Sequence, residues 1–190
     1  MRDDNQKPNT IRRKLTFRRL LGANLAVGTA AFALLMIPVS GSANNDPHRS
    51  PAPAGPIPLS AIYCGFPVRL DFPVNNEYQT VSTAPDGSTV FTITGHLTVS
   101  ATNQVTGKTV TVNASGPGSL TISPDGSTGV FDNRGLFFLF APNATQFGFP
   151  SNIVVTSGAW SFVSDFATNN IIRLTSGQPH VLSDVCAALS

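Results

Sequence analysis

The stretch from Ser88 to Ser123 restricts this chain more than any other, because its apolar side chains return at every second residue. Phe91, Ile93, Leu97, Val99 and Ala101 share one parity, and Thr92, Thr94, His96, Thr98 and Ser100 share the other. Successive side chains leave a pleated backbone on opposite faces, so this rhythm specifies a strand with one dry and one wet face. After the turn Thr102 to Gly107 the pattern resumes, with Val110, Val112 and Ala114 set against Thr109, Thr111, Asn113 and Ser115. Past Gly116-Pro-Gly118, Leu120 and Ile122 oppose Thr121 and Ser123. Three such strands in series predict an antiparallel meander.

The flanking residues extend the sheet. Val68, Leu70 and Phe72 alternate with Arg69 and Asp71, which predicts a first strand over 66–73 and a short second one over 77–83. Pro85-Asp-Gly-Ser88 is a turn, because proline presets φ and glycine accepts the positive φ that other residues resist. The same residues recur at 124–127, and Phe91 and Gly95 have counterparts in Phe131 and Gly135. Two related hairpin units would give that match, and so would a shared turn solution, which is the reading preferred. The unbroken run Leu136 to Phe140 predicts a strand covered on both faces, or one backed by a helix or partner. Residues 142–152 read as a loop, and 153–166 as a long strand with Gly158 at a bulge or bend. A turn over 167–170 leads into a last strand over 171–175. Val181, Leu182, Val185 and Leu189 have helical spacing, which predicts a short C-terminal helix over 180–189. Seven to nine antiparallel strands give an all-β fold. An up-and-down barrel is preferred to the alternative, a β-sandwich, because closure removes exposed sheet edges.

The first 43 residues read as a different object. Arg12, Arg13, Lys14, Arg18 and Arg19 precede an uncharged apolar run from Leu20 to Val39, and Gly41-Ser-Ala43 follows. Basic, apolar, small is the order of a secretory signal peptide. The arginine pairs echo a twin-arginine export signal without its full consensus. An uncleaved anchor through Leu20–Val39 is the alternative, and only in that form would the protein meet a membrane. Five prolines in residues 44–58 predict an extended, disordered linker, which places the β-domain at 59–190.

Removing the leader changes the charge. The whole chain is +2, but residues 44–190 hold five bases against eight acids, for a net −3. No basic patch remains for a phosphate backbone, so nucleic acid is excluded as an expected partner. The only two cysteines, Cys64 and Cys186, bracket the domain, and an even pair in an exported protein reads as a disulfide.

Chemistry-bearing residues are sparse. His48 falls in the linker, His96 on the wet face of a strand, and His180 at the start of the expected helix. Either of the last two could serve a small extracellular hydrolase or isomerase if a hydroxyl or acid stood within about 3 Å. There is no Gly-x-Ser-x-Gly, no metal-ligand spacing and no cofactor fingerprint, so neither metal nor cofactor is expected. Trp160, Phe162 and Phe166 share a parity and, with His96, are the candidate ligand-binding residues, as lining for an apolar cavity or as plain core.

The basic leader, Pro-Ala linker, Cys64-Gly-Phe-Pro-Val68, Thr94-Gly-His-Leu-Thr-Val99, Thr106-Gly-Lys-Thr-Val110 and late cysteine together resemble small exported β-proteins of actinobacterial type. The likeness covers about residues 59–190, is one of style, and implies no activity. The expectation is therefore a secreted, non-enzymatic β-domain that binds a small apolar molecule or a cell-envelope surface. The small hydrolase or isomerase and a pocketless structural envelope protein are the alternatives. Oligomeric state is not legible.

Overall fold

In a computed structural model, which describes residues 49–190, the period-two segments are strands as expected. The elements are β1 Ser50–Pro51, β2 Ile57–Leu59, β3 Val68–Thr83, β4 Thr89–Asn103, β5 Thr109–Asn113 and β6 Gly118–Ile122. They continue with β7 Thr128–Arg134, β8 Phe137–Phe140, β9 Ile153–Ser157, β10 Ala159–Asp165, β11 Asn170–Ser176, β12 His180–Asp184 and the helix α1 Val185–Leu189. The residues read as a signal peptide, the Leu20–Val39 run, His48 and the first part of the expected linker lie outside the described residues.

The fold is all-β and antiparallel, with sheets of nine and three strands and a short C-terminal helix. It is not the barrel favoured by the sequence. The larger sheet runs β1-β3-β4-β6-β7-β10-β11, and its end strands do not meet. The smaller sheet, β12-β9-β8, packs against it as in a sandwich. Its pairs alternate between two cores: Phe138, Ile153 and Val155 join Val68, Val99 and Ala101 in one, while Leu139 and Val154 join Trp160, Phe162 and Ile171 in the other. A sheet buried on both faces needs apolar residues at consecutive positions, which is why Leu136 to Phe140 breaks the alternation.

Several of the strands are continuations of one another across a glycine. Asn113 faces Thr98 and Gly118 faces Ile93, so β5 and β6 keep one register along the same edge of β4. They are a single strand interrupted at Gly116-Pro117, and the expected three-strand meander is corrected to this hairpin. The same holds further on. β7 pairs with β10 and β8 with β9 in one continuous register, and Gly135 N–H donates to Gly158 O (3.0 Å) where the hairpin passes between sheets. Extending the registers by two residues sets Gly95, Gly116, Gly135 and Gly158 abreast on successive strands, with Gly177 beside Trp160 on the next. We call this line the crease. A side chain on Gly116 would run into the backbone of Leu136, and one on Gly95 into the backbone of Asn76 and Glu77. Glycine is required there by close backbone approach.

Three further expectations change. The predicted strands 66–73 and 77–83 are one strand of 16 residues. Its register slips between Asp71 and Val74, and Pro73 in that slip gives up no ladder donor. Residues 180–184 form β12 rather than the start of the helix. Leu182 is the extra residue of a bulge against β9, which produces helix-like apolar spacing in a strand. The helix begins only where the Asp184 carboxylate accepts from Ala187 N–H (3.0 Å). Finally, the described part of the proline-rich segment does not stand clear of the sheet. Ser50 and Pro51 pair with Gln79 and Tyr78, Ile57 to Leu59 pair with Leu70 to Val68, and Arg49 lies 4.4 Å over the Tyr78 ring. Proline suits an edge, because it offers no outward donor to a further strand.

Cys64 and Cys186 are bonded, with Cα atoms 5.2 Å apart across 122 residues of chain. Asn103 Nδ2 donates to Leu189 O (3.2 Å) and Lys108 Nζ to Ser190 O (2.6 Å), so α1 is tied to the β4–β5 turn as well. Among the described residues no helix is long and apolar enough to cross a membrane.

Candidate functional site

The candidate residues read from the sequence fall in three places. His96 is exposed on the outer face of β4. Its Nδ1 lies 2.8 Å from Ser115 Oγ, and its Nε2 3.5 Å from Thr98 Oγ1. The Ser115 hydroxyl also accepts from Leu97 N–H (2.9 Å) and lies 3.2 Å from Leu97 O. It stands in for the backbone of β5 at the point where that strand leaves β4. Ser115 is thus built into the ladder, and the Ser115–His96 pair lies on an open sheet face. Neighbouring hydroxyls pair across the same strands, Ser100 with Thr111 (3.0 Å) and Thr102 with Thr109 (2.9 Å). His180 is exposed at the start of β12, opposite Ser157.

Trp160 and Phe162 are interior. They stack on each other with centroids 5.0 Å apart, and Phe162 stacks on Phe131 at 4.7 Å. Phe137 and Phe149 pack edge-on or tilted against this stack. Such geometry is that of a filled aromatic core. Phe166 has its ring over Gly129 and close to Leu120.

The inner face of the large sheet holds a different surface. Register places Val81, Phe91, Leu120, Phe131 and Phe162 in one row across five strands. Its last two residues belong to the aromatic core, but Val81, Phe91 and, in the next row, Ile93 are only part-buried and belong to neither core. They form an apolar shelf beside the crease. The row between shelf and crease reads Gln79, Ile93, Gly118, Asn133, Trp160. Gln79, Asn133 and Trp160 are all more than nine-tenths buried. Each ends in a polar atom without a hydrogen-bond partner: Gln79 Oε1, Asn133 Nδ2 and Trp160 Nε1. Glu77, on the same face two residues before Gln79, is part-buried, and loss of solvent raises its carboxyl pKa above the ordinary value.

Sequence reasoning finds Trp160 in this group and misses Gln79, Asn133 and Glu77. A signal for the first two exists. Gln79 shares a parity with Val81, and Asn133 with Phe131, so each is a polar side chain written into an apolar face.

Among the described residues no three His, Cys, Asp or Glu side chains are grouped to hold a metal ion. Comparison with protein-family models, curated proteins and solved structures found no match.

Proposed function

We propose that this is an exported, non-enzymatic β-domain that binds a small, largely apolar molecule on the inner shelf of Val81, Phe91 and Ile93. The observation that carries this reading is the uneven cover of one sheet face. At β7 and β10 the face is sealed into an aromatic core, whereas at β3 and β4 the same apolar parity is left part-open. A part-open apolar face beside a core is the usual ground for a small ligand. The closed disulfide supports an oxidising compartment, which agrees with export. The position of the Ser115 hydroxyl in the ladder favours binding over catalysis at His96.

Native mass spectrometry of the full-length gene product, purified from its own culture medium, tests the reading. The expected result is a folded, oxidised chain carrying a non-covalent apolar adduct that an organic wash removes and that an Ile93→Glu variant lacks. An adduct-free protein that also fails to take up the neutral fluorophore N-phenyl-1-naphthylamine would contradict it.

A further inference from the structure

The strands that end a sheet are not protected alike. β1 and β2, on the far side of β3, carry Pro51 and Pro58. β11 has its Ile171 N–H and C=O taken by the Asn143 side chain, and it carries Arg173. β12 is bulged at Leu182 and carries Asp184, and β8 is held between the two cores. Proline, charge and bulges are the usual devices against a further strand. β5 has none of them. Among the described residues it pairs with β4 alone, without a register shift, and its sequence Thr-Val-Thr-Val-Asn holds neither proline nor charge. Just beyond the two ends of this pairing, Asn103 N–H donates to Lys108 O and Ala114 N–H to Leu97 O (both 2.9 Å). Bonded and non-bonded pairs alternate in an antiparallel ladder, so Val110 and Val112 bond to β4. Thr109, Thr111 and Asn113 therefore turn their N–H and C=O groups to the free edge. These three residues are exposed, and Val110 and Val112 are half-buried at the rim of the core that contains α1.

We propose that β5 is the joint of a homodimer, in which two copies of this chain lie antiparallel about a two-fold axis through Thr111. The strand is self-complementary about that axis. Thr111 meets its own counterpart, Thr109 meets Asn113, and each pair exchanges two N–H···O bonds through the groups that face outward. The same register sets Val110 against Val112 on the dry face, where each completes the burial that the other lacks in a single chain. An axis through Val110 or Val112 would leave Asn113 or Thr109 opposite a residue outside β5, so only the Thr111 axis uses the whole strand. Lys108 is the one charge beside the joint, and this axis holds the two lysines six residues, about 20 Å, apart. Because the joint consumes the edge, association closes at the dimer. It does not involve Val81, Phe91 or Ile93 and is independent of the binding reading.

Sedimentation equilibrium of the full-length gene product, secreted and oxidised, tests the joint. Wild type should show a single monomer–dimer equilibrium with a dissociation constant below about 1 mM. Thr111→Pro removes an N–H that β4 does not use, so the chain should still fold, with a thermal unfolding curve to show it. Its dimer should weaken about tenfold or more, through loss of the central hydrogen-bonded pair. Thr111→Lys and Thr111→Glu should each weaken the dimer severalfold alone, and an equal mixture of the two should regain it. That rescue requires residue 111 to face its own counterpart. Amide hydrogen exchange at Thr111 should slow as protein concentration rises, while Val112, bonded to β4 in either state, should not change. Growth beyond the dimer, or a dimer that no Thr111 variant weakens, would overturn the proposal. So would a wild-type chain still monomeric at about 1 mM, which would leave the edge to an extended peptide of another protein.

Discussion

Single residues on the crease carry the bend. Gly116 has its missing side chain pointed at the Leu136 backbone, 2.8 Å from the amide nitrogen, with no flexible group that could give way. Gly116→Ala should therefore cost about 3 kcal/mol or more in denaturant unfolding. Gly107, in the exposed β4–β5 turn, has open space around it and only its φ of 75° to satisfy, so Gly107→Ala should cost about 1–2 kcal/mol. Equal losses at the two sites would remove the steric account of the crease.

Glu77 and Asp125 respond to pH with opposite signs. Burial raises the Glu77 carboxyl, so its charged form disfavours the fold, and the handicap appears as pH rises from the unfolded toward the folded value. Glu77→Gln should raise the melting temperature at pH 7 and change it little in acid below the ordinary glutamate range. The Asp125 carboxyl is held down from 3.8 to about 2 by hydrogen bonds from Ser123 Oγ, Ser127 N–H and Ser127 Oγ. Its contribution is complete above 3.8 and is lost as pH falls toward 2. Asp125→Ala should flatten that part of the stability-against-pH curve.

At the scale of elements, the organising unit is a long strand that changes direction at a glycine. β5 and β6, β7 and β8, and β9 and β10 are three such strands, each interrupted on the same line. Much of this is legible in the sequence. The parity of Phe91, Ile93, Val99 and Ala101 names the inner face correctly, and Gly158 marks its bend. The repeated Pro-Asp-Gly-Ser turn and the paired Phe91–Gly95 and Phe131–Gly135 also reflect a common plan. Each turn starts a strand that presents a phenylalanine to the same row and reaches the same crease. The alignment of the glycines is not legible, because it exists only across strands and depends on register. Nor is the sealing of Trp160 and Phe162, since one-sided aromatic spacing is the same for a filled core and for an open cavity. Bulges hide the rest: Pro73 splits one strand into two apparent ones, and Leu182 gives strand residues a helical beat.

The Cys64–Cys186 bond joins the chain entering β3 to α1 and closes nearly the whole described domain. The chain-entropy value for so long a loop is up to about 5 kcal/mol. Replacing both cysteines with serine should lower unfolding stability by about 3–5 kcal/mol, and a loss below ~1 kcal/mol would show that the hydrogen bonds from Asn103 and Lys108 already fix α1.

At the scale of the molecule, the bend sorts one continuous inner face into three fates. Part becomes the core beneath α1, part becomes the aromatic core, and the remainder is the part-open shelf at β3 and β4. On the outer face, β4 and β5 are joined by their own hydroxyl pairs. Function is assigned to the remainder because the rest of the inner face is taken up by the two cores. Backbone amide chemical shifts recorded while N-phenyl-1-naphthylamine is added to the folded, oxidised protein test that assignment most directly. Shifts concentrated at Val81, Phe91, Ile93 and Gly118, with His96 and His180 unmoved, are the predicted result. Shifts confined to the outer face around His96, or none on β3 and β4, would contradict it.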